Sequence, residues 1–181
     1  IMGCQILSGY SLFGAQSYAN AIRYAADNGA SVLQCSWGEP TGQFLSDAQY
    51  ARGQTVVLAA LEYFLDPGDS KKYNSGVITD GNIIVFSAGN DWSPTPAYPG
   101  AYYKFVCVSS VGQDNLPSWF TNYGRGVNIA APGGDSKLGI TILSTLPSEA
   151  KSAAGQDYGY IEGTSQATPQ VSSTVALGLS Y

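Results

Sequence analysis

Ser165 is the residue best placed in this sequence to act as a nucleophile. It lies in Gly163-Thr164-Ser165-Gln166-Ala167-Thr168-Pro169, which reads as a loop turning into a helix. Beyond it, Val171, Val175 and Leu179 recur every four residues with Ala176 beside them, marking one apolar helical face. A helix N-terminus carries unpaired N–H groups and partial positive charge, so a serine there meets a field that favours developing negative charge. Pro169 has no N–H, and the helical bond to the Ser165 carbonyl cannot form. The plain alternative is a Thr/Ser cap on an ordinary core helix.

A serine nucleophile needs a base for its proton, donors aimed at the oxyanion of the tetrahedral intermediate, and a groove for the acyl substrate. Asn90 supplies a side-chain amide, an uncharged donor, and the Ser165 backbone N–H is a second candidate. The alternative for Asn90 is a turn residue that tolerates left-handed backbone. The base is the missing part. The chain contains no histidine, so a histidine base must come from outside these 181 residues.

The elements that must position these groups are legible as a strand–helix alternation. Residues 3–8 read as a short strand ending at Ser8-Gly9, 15–28 as a helix closed by Gly29, and 31–37 as the next strand. Such a unit makes a parallel sheet. Residues 39–54 read as a polar, turn-rich stretch and 55–65 as an apolar helix stopped by Asp66-Pro67-Gly68-Asp69. Residues 69–81 read as a surface loop, 82–90 as a buried strand with a polar end, and 92–100 as a Pro-rich loop. Strands are expected over 104–111, 118–124 and 126–131, and a hairpin over 140–146 and 157–162. Ligands in open α/β sheets bind beyond the carboxyl ends of the strands. Three strands end in small polar turns: Ser8-Gly9, Ser36-Trp37-Gly38 and Ser87-Ala88-Gly89-Asn90. If they are parallel, those turns share one sheet edge, and the helix carrying Ser165 can face it.

Composition narrows the partners. Only 12% of residues are charged and 22 are Gly, which suits a compact, loop-rich single domain. A net charge of −5 disfavours nucleic acid or an anionic membrane surface. No apolar run approaches the roughly 20 residues of a membrane span. Cys4, Cys35 and Cys107 each lie in an apolar run, without Cys-x-x-Cys spacing, and read as free and structural, with room for one disulfide at most. The chain opens on Ile1 and closes at the end of the apolar helix, so more chain is expected on both sides.

The opening stretch resembles the nucleophile motif of subtilisin-like serine proteases, Gly-Thr-Ser-Met-Ala-x-Pro-His-Val, and the likeness runs in order through most of the chain. Ser31-Val-Leu-Gln-Cys-Ser-Trp-Gly38 resembles the strand whose Ser-Leu-Gly end lines the substrate cleft. Ile83-Ile-Val-Phe-Ser-Ala-Gly-Asn90 resembles the strand ending Ala-Ala-Gly-Asn. Tyr98-Pro99-Gly100, Val106-Cys-Val-Ser-Ser-Val111, Phe120-Thr-Asn-Tyr-Gly124, Ile129-Ala-Ala-Pro-Gly133 and Ile142-Leu-Ser-Thr-Leu-Pro147 resemble further family segments in register.

The resemblance implies a three-layer α/β/α fold with a mostly parallel twisted sheet, incomplete in this chain, with residues 1–181 as the C-terminal portion of one peptidase domain. It implies Ser165 as nucleophile, Asn90 as oxyanion donor, and Ser36, Trp37, Gly38, Ser87, Ala88 and Gly89 as walls of the specificity pocket. A peptide or protein substrate would add as a β-strand along the first wall. The triad order Asp, His, Ser places the first two upstream of the matching segment, so an N-terminal fragment of the same domain is the expected partner. No cofactor is required for the chemistry. Structural calcium is a family habit, with no ligand spacing here to assign, and secretion or a periplasmic location is expected from the resemblance only.

Three departures stand out. Gln166 replaces the usual Met, Gln170 the usual structural His, and Trp37 the usual Leu, as either an aromatic substrate contact or core packing. The stretch 39–81 is longer than the family's compact version and reads as an idle surface loop rather than a reshaped cleft. Two other functions stay open: an inactive subtilase-fold binding scaffold, and a sedolisin-like peptidase using Ser with Glu and Asp. The latter needs no histidine but uses an Asp oxyanion donor where Asn90 stands.

Overall fold

The computed structural model describes residues 1–8, 11–12, 14–66, 82–146 and 157–180. The loop expected over 69–81, with Pro67, Gly68, Gly9 and Pro147, lies outside them. Four strands form one parallel sheet in the order β3 (Val32–Cys35), β4 (Ile83–Ser87), β5 (Val106–Val111), β6 (Ile129–Pro132). Strand alternation divides the apolar residues between two layers. Ile84 and Phe86 of β4 point to one face, where they pack with Ala19, Ile22, Ala25 and Ala26 of α1 (Ala15–Asp27) and Val57, Leu58, Leu61 and Phe64 of α3 (Thr55–Leu65). Val85 and Val108 point to the other, against Ala167 and Val171 of α4 (Thr164–Gly178). Helices therefore cover both faces of a mostly parallel sheet, the α/β/α arrangement expected from the sequence.

Three expectations need correction. Residues 3–8 do not supply a strand of this sheet: β1 (Leu7–Ser8) pairs antiparallel with β2 (Ser11–Leu12) in a separate two-stranded sheet. Ser8 is therefore not on the edge shared by the other two strand ends. The polar stretch 39–54 contains a helix, α2 (Asp47–Gly53). Ser46 caps it, accepting from the Gln49 N–H at 3.3 Å, while Gln49 Oε1 accepts from the Leu45 N–H at 2.8 Å. Residues 118–124 are not a strand but a chain of turns tied by buried Ser118, Thr121 and Asn122. The hairpin is present as β7 (Ile142–Thr145) paired with β8 (Tyr158–Ile161). All three cysteines are free, with Cys35 and Cys107 buried.

Candidate active site

Parallel pairing puts Cys35 opposite Phe86, so Ser36-Trp37-Gly38 and Ser87-Ala88-Gly89-Asn90 leave the sheet side by side at its carboxyl edge. The N-terminus of α4 reaches the same edge. Ser36 Oγ donates to the Ser165 carbonyl at 2.8 Å, and Ser165 Oγ donates to the Ser36 carbonyl at 3.4 Å. Asn90 approaches from the other side. Its Oδ1 accepts from both the Thr164 N–H and Thr164 Oγ1, each at 2.8 Å. An amide fixed through its oxygen has its NH2 end aimed by default. A Cβ placed on Gly163 would lie 3.4 Å from Asn90 Nδ2 and 3.6 Å from the Ser165 backbone nitrogen. Both candidate oxyanion donors thus border one spot beside Gly163, where the nearest atom is Gln166 Oε1, 2.8 Å from such a Cβ.

Residues not singled out in the sequence hold this arrangement. Thr164 is fully buried and serves Asn90 with two donors while its hydroxyl accepts from the Gly89 N–H at 3.3 Å. Asn122 is also fully buried, and all its amide positions are used. Its Oδ1 accepts from the Asp91 and Ser93 N–H groups at 2.9 and 3.1 Å, and its Nδ2 donates to the Ala88 carbonyl at 3.0 Å and Thr41 Oγ1 at 2.9 Å. Thr41 Oγ1 in turn donates to Asp91 Oδ2. Asn122 therefore braces the turn that presents Asn90. At Gly89, φ is 101° and a Cβ would lie 2.4 Å from Asn122 Nδ2, so only Gly allows this closeness. The sequence held a signal for both residues, in Gly-Thr-Ser and in the Phe-Thr-Asn-Tyr-Gly segment, but not for their partners.

The remaining wall residues divide by exposure. Ser87 and Ala88 are buried, Gly89 and Trp37 half-buried, and Ser36 and Gly38 exposed. The Trp37 ring is half-buried and packed. It stacks on Tyr18 with centroids 5.2 Å apart and meets Phe86 edge-on at 5.1 Å, against the α1 core. Gln170 donates through Nε2 to the Pro132 carbonyl at 2.6 Å and the Gln166 carbonyl at 3.1 Å, anchoring α4 to the end of β6.

Burial pushes the Cys107 thiol up to about 12 and Cys35 higher still, so neither is a nucleophile at neutral pH. Among the described residues no group of three or more His, Cys, Asp or Glu is placed to hold a metal ion, and no calcium ligand is assigned. No described helix is long and apolar enough to cross a membrane.

Comparison with known proteins places the chain in a family. The model of the Subtilase family, Peptidase_S8, matches residues 1–181. A thermophilic serine proteinase of Bacillus sp. (strain AK1) is 33% identical over 159 residues, covering 88% of this chain and 30% of that protein. Thermitase of Thermoactinomyces vulgaris is 31% identical over 159 residues, covering 88% of this chain and 44% of its own length. The chain thus spans less than half the length of these relatives. The prenylagaramide maturation protease PagA shares the fold with a TM-score of 0.70 at 23% identity, over 97% of this chain and 53% of that one. A protease from Pseudoalteromonas arctica PAMC 21717 aligns with a TM-score of 0.65 at 27% identity, over 92% and 46%. A family model matched along the whole length, on a chain whose strand ends and helix N-terminus meet at one edge, identifies it: this chain belongs to the subtilase family of serine proteases.

Proposed function

We propose that the chain is the C-terminal portion of a serine endopeptidase domain in which Ser165 forms the acyl-enzyme. Asn90 Nδ2 and the Ser165 N–H hold the oxyanion, and the backbone at 36–38 and 87–89 walls the pocket for the side chain preceding the scissile bond. The Asp and His of the triad come from an N-terminal portion of the same domain. The observation that carries this reading is the pinning of Asn90 Oδ1 by Thr164 through two 2.8 Å bonds, which aims Nδ2 at the spot beside the Ser165 nitrogen. Such a donor matters most where charge develops, in a site that does not reorganise during reaction. A secreted or periplasmic location is proposed on the family resemblance alone.

The role expected of the family's structural His falls to Gln170, whose amide reaches two carbonyls, so its presence does not argue for a dead site. The inactive-scaffold reading rests on the absence of histidine from the 181 residues, and the two diverge on one assay. The full-length protein should hydrolyse a peptide substrate with an optimum near neutral pH, and Ser165→Ala should abolish it. A folded full-length protein with no such hydrolysis would instead favour the scaffold, and an acidic optimum the sedolisin-like mechanism.

A further inference from the structure

The Ser165 carbonyl is orphaned within its own helix, because Pro169 stands four residues on and has no N–H. Its donor comes from a distant strand end. Ser36 Oγ donates to it at 2.8 Å, and the direction of that bond is set by a second one. Gln34 Nε2 donates to Ser36 Oγ at 2.5 Å, which occupies the hydroxyl oxygen as acceptor and leaves its proton for the carbonyl. In return Ser165 Oγ donates to the Ser36 carbonyl at 3.4 Å, long for a bond between hydroxyl and carbonyl. The main chain of Ser165 is therefore held firmly while its side chain is held loosely. A nucleophile needs that division: a fixed backbone and a hydroxyl free to turn toward a base.

We propose that Ser36, oriented by Gln34, is a positioning residue for Ser165. It replaces the helical bond that Pro169 removes and so fixes the first turn of α4. Without it that turn can pivot and misdirect both Oγ and the backbone N–H, and small misplacements of reacting groups are costly. The proposal rests on the reading of Ser165 as nucleophile. It differs from a role for Ser36 as a substrate wall alone, which would act on peptide binding and not on the reactivity of Ser165.

The test uses the full-length protein and two readouts. One is the rate at which a small fluorophosphonate, too short to occupy the peptide groove, labels Ser165. The other is kcat and KM for an extended peptide. Ser36→Ala should slow labelling and lower kcat by about five- to tenfold with KM unchanged, the worth of one lost hydrogen bond. Ser36→Thr, which keeps the hydroxyl, should recover most of the loss. Gln34→Leu should slow labelling by about two- to threefold. A Ser36→Ala variant that labels at the wild-type rate but has a raised KM would make Ser36 a substrate contact and overturn the proposal. If Ser36→Ala does not fold, Gln34→Leu decides, and an unchanged labelling rate there overturns it. Absence of labelling in the folded wild-type protein would remove the nucleophile reading itself and is thereby distinguished from either result.

Discussion

At the scale of single residues, the fold brings Asn90, Thr164, Ser165 and Ser36 together at one sheet edge. If Asn90 is the oxyanion donor proposed above, its loss should be felt only in the transition state. Asn90→Ala is expected to lower kcat in the full-length protein by about 10²–10³-fold with little change in KM, a magnitude adopted from the oxyanion Asn of subtilisin, for which it is established. Steady-state kinetics on a peptide substrate checks it, and a fall carried by KM would contradict the role. Thr164 acts one step further back. Thr164→Val keeps the shape and deletes the hydroxyl, freeing one of the two bonds on Asn90 Oδ1. An amide held by one bond can tilt, and kcat should fall by about tenfold. Ser165 and Asn90 stand out in the sequence because one opens a helix and the other follows a strand end. Thr164 does not, since its bonding to Asn90 joins residues 74 apart in sequence. Trp37 stands out as an aromatic at a strand end, but its packing partners Tyr18 and Phe86 come from two other elements.

At the scale of elements, the parallel strands and the long helices follow from the apolar pattern, and the pieces that did not follow lack one. α2 is seven residues long and buries only Tyr50, so no apolar face is repeated. Its signal was the Ser46-to-Gln49 cap rather than periodicity. Residues 118–124 resemble a strand because Trp119, Phe120, Thr121 and Tyr123 are all strand-favouring types, while the real bonds run through buried side chains. The most consequential of these is Asn122. Asn122→Ala should remove the side-chain acceptor of the Asp91 and Ser93 N–H groups and leave the Ala88 carbonyl with the Ala97 N–H alone. We expect a loss of about 2–4 kcal/mol of stability, measured by chemical denaturation of the full-length protein, with activity reduced in the fraction that stays folded. Gln170→Ala removes the side-chain bonds to the Pro132 and Gln166 carbonyls, and a smaller loss of about 1 kcal/mol should follow.

At the scale of the molecule, four parallel strands lie between two helical layers, and the candidate site forms where β3 and β4 end beside the start of α4. The fold class was readable because helix and strand alternate, whereas the place of residues 3–8 was not, since a short apolar run does not say which sheet it joins. Buried thiols give the whole fold a pH dependence. Burial raises the Cys107 thiol from 9.0 to about 12, so the folded state resists an ionisation that the unfolded chain allows. The associated stability is complete below the unfolded value near 9 and is lost as pH rises toward about 12. Denaturation midpoints of the full-length protein should therefore fall between about pH 8 and about pH 11, and Cys107→Ala should flatten that fall. With no histidine among its 181 residues, the chain alone should label with a fluorophosphonate at least about 10³-fold more slowly than the full-length protein. The most direct test of the site is therefore where a covalent adduct forms. Full-length protein treated with a fluorophosphonate, digested and mapped by mass spectrometry, should carry the adduct on the peptide containing Ser165, and Ser165→Ala should carry none. A folded, unlabelled wild-type protein, or an adduct on any other residue, would contradict the assignment of Ser165 as the nucleophile.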